Sequence, residues 1–216
     1  MSTTLRTLAQ RSTAAREATL EHCELCSAVI PPEHRHLLDR ETRELICACK
    51  PCSLLFDRDA AANGRYKLVP DRRLAVFDLE LDDVMWEELR LPVDIAFFVR
   101  ASREERVQAF YPGPMGATES MLPLDAWSAL EAANPVVATL EDDVEALLVN
   151  RAHGARRHWI VPMDECFGLV GLIRTRWRGF TGGKEVWEEI ARFFDGLDRR
   201  SRPASRNDGR EPTWRR

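Results

Sequence analysis

Apolar residues along this chain keep two different periods, and the change of period marks out its elements. Between Lys184 and Leu197 the residues Val186/Trp187, Ile190, Phe193/Phe194 and Leu197 recur about every 3.6 positions. That stripe predicts an amphipathic helix. Ile95 to Val99 and Val107 to Tyr111 are instead short apolar, aromatic runs, with polar Ser102 to Glu105 between them. They predict a β-hairpin. A second hairpin is expected where Ala146 to Asn150 and His158 to Val161 flank Gly154. Tyr66 to Val69, ending at Pro70, predicts a short strand, and Thr118 to Leu122 another. Asp82 to Leu89 predicts a short helix. Asp125 is read as the N-cap of a helix through Ala133, stopped by Asn134-Pro135, and Asp164 as the N-cap of a helix from Glu165 to Trp177. Thr139 with Asp142 resembles a capping box for one or two helical turns.

The same pattern divides the chain. Residues 2–20 carry only Leu5, Leu8 and Leu20 as large apolar groups, which predicts a flexible or loosely helical lead-in over residues 1–20. Residues 21–64 form a small cysteine-containing module closed by the turn signal Asn63-Gly64. Residues 65–198 form an α+β domain, an antiparallel sheet packed with helices. Residues 199–216, rich in Ser, Pro, Asn, Gly and Arg, have little to bury and are expected to be disordered.

The cysteines add the chemistry. Five of six lie close together, as Cys23-Glu-Leu-Cys26 and Cys47-Ala-Cys49-Lys-Pro-Cys52. Two C-x-x-C pairs at this separation are the spacing of a tetrahedral metal site, with Cys23, Cys26, Cys49 and Cys52 as ligands. Cys23 and Cys26 suit a tight knuckle. His36 to Asp39 and Glu44 to Ile46, around Arg40 to Arg43, suit a hairpin. Cys49 to Cys52 then opens a helix in which Pro51 takes an early position, where its missing N–H does no harm. Knuckle, hairpin and helix is the order of a treble-clef zinc fold. So small a module buries little apolar surface, so a bound metal would supply much of its stability. Zinc is the expected ion and iron the alternative, because four thiolates suit both. A closed four-thiolate shell leaves no position for a substrate, so the site is expected to be structural.

Cys47 is open to two readings. It is a small apolar residue alternating with the ligands on the last hairpin strand, or a redox-sensing or alternative ligand thiol, with His34 and His36 as its partners. The two histidines are themselves open: exposed hairpin side chains, or donors to an accessory metal site.

Charge narrows the function classes. The net charge of −4 divides into a +5 tail from Arg199 onward and a −9 body. Residues 20–62 hold five Lys/Arg against eight Asp/Glu, before any thiolate is counted. An acidic module repels phosphate, so no nucleic-acid partner is expected. No apolar run is long enough to span a bilayer, and the amino end lacks a signal-like apolar core. A cytoplasmic location and no membrane partner are the expectations, and in a reducing compartment clustered cysteines are metal ligands sooner than disulfides.

Outside the module, Arg174 to Gly183 concentrates Arg174, Arg176, Trp177, Arg178 and Phe180 ahead of a Gly-rich helix start. It reads either as an anion or partner surface, or as Trp177 and Phe180 packing two helices together with solvated arginines. It lacks a P-loop pattern. His158 with Cys166 is the nearest thing to a Cys–His pair, but Cys166 reads as core. Gly116 to Ser120 lacks a nucleophile elbow. The expectation is a protein that is not an enzyme.

Several segments are similar to a bacterial family of unknown function: His22 to Cys26, Ile30 to Asp39, Ala48 to Cys52, Gly116 to Ser120, Leu148 to Arg151, Leu172 to Arg174 and Trp177 to Gly179. The similarity spans roughly residues 20–198. Genes of that family occur, mainly in actinobacteria, near those of high-affinity nickel–iron uptake hydrogenases. The resemblance implies an accessory role toward hydrogenase subunits, in maturation, assembly or electron relay. The sequence thus predicts a zinc-stabilised, non-catalytic adaptor. A rubredoxin-like iron electron-transfer module is the first alternative. An enzyme or binder of an anionic ligand through residues 174–183 is the second.

Overall fold

The computed structural model describes residues 20–57, 61–179, 181–205 and 208, and the chain divides into two compact units, Met1–Val69 and Pro70–Arg216. Most of the expected lead-in, residues 1–19, lies outside the described residues.

The first unit is built on a hairpin. Strands β1 (Arg35–Asp39) and β2 (Leu45–Ala48) pair antiparallel, with Leu38 opposite Leu45 and Arg35 opposite Ala48. Asp39 sets the turn between them. Its carboxylate is almost fully buried and accepts from the backbone N–H of Glu41 (2.9 Å) and Thr42 (3.3 Å), an Asx-type turn. Arg65 donates to the same carboxylate through Nε (2.9 Å) and Nη2 (2.6 Å). The Arg65 guanidinium holds the Asp39 carboxyl below the usual carboxylate range despite its burial.

This ion pair explains a correction. Strand β3 (Tyr66–Leu68) is not the start of the second domain. It pairs antiparallel with the outer side of β1, Asp39 opposite Tyr66 and Leu37 opposite Leu68, so the first unit runs past residue 64 to Val69. Helix α1 (Lys50–Phe56) follows β2, with Cys49 as its extended N-cap and Pro51 in the first turn. Asn63 sits in left-handed backbone, as its turn signal requires.

Among the described residues, the second unit carries a seven-stranded sheet in the order β10-β4-β9-β8-β5-β6-β7. Its strands are β4 (Leu74–Ala75), β5 (Ile95–Ala101), β6 (Arg106–Gly113), β7 (Gly116–Ser120), β8 (Glu145–Asn150), β9 (Arg157–Pro162) and β10 (Arg202–Pro203). All neighbours are antiparallel except β10, which runs parallel to β4. Helices α2 (Asp83–Glu88) and α3 (Leu124–Ala133) cover one face, and α4 (Met163–Arg176) and α5 (Gly183–Arg200) the other.

Alternate residues of each central strand therefore enter different cores. Ala96, Phe98, Leu147, Val149 and Ile160 pack with Trp86, Leu89, Trp127 and Leu130. Ile95, Phe97, Val99, Ala146, Leu148, Trp159 and Val161 pack with Cys166, Leu169, Val186, Ile190 and Phe194. Coverage on both faces is why these strands read as unbroken apolar runs. Each fully buried Phe or Leu is worth about 1.5–3 kcal/mol, so the two layers are the main source of this unit's stability. The predicted stripe of α5 is the one it buries: Val186, Ile190, Phe194 and Leu197. Trp159 stacks on Phe194 at 5.1 Å and donates from Nε1 to Asp198 (2.8 Å).

Four expectations change. Pro123 and Pro162, not Asp125 and Asp164, hold the N-cap positions of α3 and α4. The two aspartates sit in the first turn, where their charge favours the positive helix end. Thr139 opens no helix. It ends a 3₁₀ turn (Val137–Thr139) and donates its hydroxyl back to Val136 O at 2.7 Å. β7 begins at Gly116 and stops at Ser120. The tail does not lose order at Arg199: α5 continues to Arg200, β10 adds to the sheet edge, and Asp208 accepts from Arg202 at 2.6 and 3.0 Å. Residues 206–207 and 209–216 lie outside the described ones. Among the described residues no helix is long and apolar enough to cross a membrane.

Candidate metal centre

The knuckle is fixed by its own backbone. Cys23 N–H donates to Ala28 O (2.8 Å) and Ser27 N–H to Cys23 O (2.7 Å), and Ser27 turns the chain with a φ of +60°. His22 and Val29 bridge its open end. Glu24, between the first two cysteines, ties the knuckle to the hairpin. Its N–H donates to Cys47 O (2.9 Å), and its carboxylate accepts from Cys47 N–H (2.7 Å). The other cysteine pair rides on α1, Cys49 at its N-cap and Cys52 in the first turn.

These supports bring the four predicted ligands together. One Sγ from each of Cys23, Cys26, Cys49 and Cys52 lies within 4.8 Å of all the others. Cys26 Sγ and Cys49 Sγ are 3.6 Å apart, and all four thiols are free. A disulfide requires about 2.05 Å. A tetrahedral ion with metal–sulfur bonds near 2.3 Å requires sulfurs about 3.8 Å apart. The arrangement fits the second and not the first.

Burial grades the cluster. Cys23 and Cys52 are buried with Ile30 in the module's core, Cys49 is half-buried and Cys26 is exposed. Burial alone would raise the Cys23 thiol, but backbone donors at Cys49, Leu25 and Cys26 outweigh it and bring it down to about 6. Burial pushes the Cys52 thiol up, and the neighbouring sulfurs add to the effect. Packing four thiolates together is unfavourable without a cation at the centre, and backbone N–H groups aimed at a sulfur favour its ionised, metal-binding form. The donor set suits zinc or iron equally.

A second cluster adjoins the first: His34, His36 and Cys47 also offer one ligand atom each within 4.8 Å. Cys47 is half-buried and its thiol is raised, by burial and then by Glu24 and Glu21. Neither Glu21 nor Glu24 is marked by residue type alone. Their position in and beside the first Cys-x-x-Cys is the only sequence signal they carry.

The other candidates are placed as follows. Arg174, Arg176 and Arg178 are exposed, and Phe180 lies outside the described residues. Trp177 is half-buried against the α4/α5 core, with its ring 6.1 Å from Trp187 and its Nε1 donating to Gly179 O (2.9 Å). Gly182 closes the turn in left-handed backbone, where a Cβ would meet Val186 Cγ1 at 2.7 Å and the Trp177 ring at 3.0 Å. His158 and Cys166 do not form a pair. His158 alternates with Trp159 on β9 and so faces the α2/α3 side, whereas Cys166 packs in the α4/α5 core, its thiol raised well above its ordinary value by burial.

Neither a curated protein nor a solved structure matches the chain. A family does, over residues 22–201, a span that takes in the knuckle, the hairpin, both cysteine pairs and nearly all of the seven-stranded sheet. The chain belongs to DUF5947, a family of unknown function.

Proposed function

We propose that Cys23, Cys26, Cys49 and Cys52 hold one structural zinc ion, and that the protein acts as a non-catalytic adaptor. The observation that carries this reading is the convergence of four free thiols within 4.8 Å. A metal there is saturated by protein ligands, so its contribution is folding energy, of order 10 kcal/mol for structural zinc. The knuckle, the hairpin and α1 would then be held as one rigid surface, which suits docking.

The partner class in this proposal is the nickel–iron hydrogenase. The support is the motif resemblance alone, in segments such as His22 to Cys26 and Ala48 to Cys52. The test is zinc analysis together with affinity capture from cells expressing the hydrogenase. The reading expects one zinc per chain and specific recovery of hydrogenase subunits, lost in a Cys23→Ser variant. A folded metal-free protein that captures no such subunit refutes it.

A rubredoxin-like iron site is the second reading. It is favoured by the exposure of Cys26 beside half-buried Cys49, since electron exchange needs a ligand near the surface. A sample prepared without oxygen that is colourless and contains only zinc excludes it.

A further inference from the structure

The His34, His36 and Cys47 cluster has features that the hairpin alone does not require. β1 and β2 place His36 directly opposite Cys47 in the ladder, so their side chains share one face of the sheet. His34 enters just ahead of β1, and the two imidazole centroids are 4.7 Å apart. Register and chain direction therefore fix all three donors.

His34 is the most informative. Its imidazole is only 6% exposed. Its Nδ1 lies 3.0 Å from Pro31 O and 3.2 Å from Glu21 Oε2. Both neighbours only accept, so Nδ1 carries the proton and donates it. In the neutral ring the lone pair then sits on Nε2. That nitrogen is buried and meets no hydrogen-bond partner among the described residues. A buried acceptor left unmet is costly, and native proteins rarely leave one so. A histidine whose one nitrogen is anchored to a carbonyl and a carboxylate while the other is bare has the arrangement of a metal ligand with its outer support.

We propose that His34, His36 and Cys47 form a second metal site for a divalent transition ion of zinc's class, with an open coordination position. Two imidazoles and one thiolate are a borderline-soft donor set. Three protein ligands leave a fourth position for water or an incoming group. His34 is anchored inside, while His36 and Cys47 are partly exposed, so the position is reachable from solvent on their side. The four-thiol centre is closed and this one is open, and the two ligand sets share no residue. Glu21, with its carboxylate 56% exposed, orients His34 from outside.

Cobalt(II) titration of the full-length protein, purified with the metal it already holds, tests the site. The absorption spectrum reports thiolate ligation as a near-ultraviolet charge-transfer band, and coordination number through the visible bands. The site predicts one saturable cobalt per chain beyond the resident ion, with one thiolate and four-coordinate intensity. Cys47→Ser should abolish the charge-transfer band. His34→Gln should weaken binding by at least about tenfold, and Glu21→Ala, which removes only a carboxylate that is 56% exposed, by about tenfold. Absence of saturable uptake overturns the site, as does a spectrum that survives Cys47→Ser or an affinity unmoved by both His34→Gln and Glu21→Ala. Failure of the four-thiol reading shows separately, as a chain holding no metal before cobalt is added.

Discussion

Removing the Arg72 guanidinium strands a carboxylate that is only 1% exposed. Glu145, the first residue of β8, accepts from Arg72 Nε at 2.8 Å and from Arg72 Nη2. Its remaining donor is Glu141 N–H, at 2.9 Å. Arg72 also donates to Thr139 O at 2.8 Å, so the pair ties the segment before β4 to the 3₁₀ turn ahead of β8. Breaking such a pair from one side typically costs 3–5 kcal/mol, because the surviving charge stays buried. Arg72 is 28% exposed, so water reaches part of the gap. We therefore expect about 3 kcal/mol for Arg72→Ala.

Replacing both partners removes the stranded charge. Arg72→Met with Glu145→Leu should fall within about 1 kcal/mol of wild type. Urea unfolding followed by tryptophan fluorescence reads this cleanly, since no tryptophan precedes Trp86 and the signal belongs to the second unit. With a slope near 2 kcal/mol per molar, the single variant's midpoint should drop by about 1.5 M. A single variant within about 0.3 M of wild type, or a double variant worse than either single one, would refute the reasoning.

His158 gives a pH signature. Burial, with the charges of Arg151 and Arg156 added, brings it from 6.5 down to about 4. The unfolded chain then binds the extra proton first, so stability is complete above about pH 6.5 and declines as pH falls toward 4. At 1.36 kcal/mol per unit, the loss is about 3 kcal/mol; urea midpoints of His158→Gln across that range should lack this portion of the decline. Gly182→Ala should cost at least about 2 kcal/mol, because the new methyl meets Val186 and Trp177, whereas Gly183→Ala, equally left-handed but facing open space, should cost about 1 kcal/mol; thermal melts of the two variants decide it, and equal losses would contradict the packing argument. Asp39→Ala should loosen the first unit by about 3 kcal/mol, since it removes both the turn acceptor and the Arg65 partner; amide exchange in β1 and β2 should rise, and unchanged protection would count against it.

How much of this was readable in the chain depends on the range of the interaction. The two hairpins and α5 are local patterns, and Phe97 with Phe98, or Val186 with Ile190, carry them within a few residues. The convergence of the four cysteines is also readable, because a four-thiolate site needs its cysteines at fixed separations. Pairing at a distance is not. Arg72 and Glu145 are 73 residues apart, and neither is marked by its neighbours. β3 has the composition of a strand but no sign of its partner, which Asp39 and Arg65 select from 26 residues apart. The edge strand Arg202–Pro203 is polar, so hydropathy is silent there, and its order comes from pairing with β4 and the Arg202–Asp208 contact. The bare Nε2 of His34 is a property of packing that no residue pattern records.

We expect one ion to be enclosed by four sulfurs, from positions 23, 26, 49 and 52. X-ray absorption at the metal edge, on untagged protein carrying one metal per chain, measures this directly. Four sulfur scatterers at about 2.3 Å and no nitrogen or oxygen in the shell are expected, with one sulfur lost in Cys52→Ser. A mixed nitrogen and sulfur shell in the wild-type protein, or a folded chain that holds no metal, would contradict it.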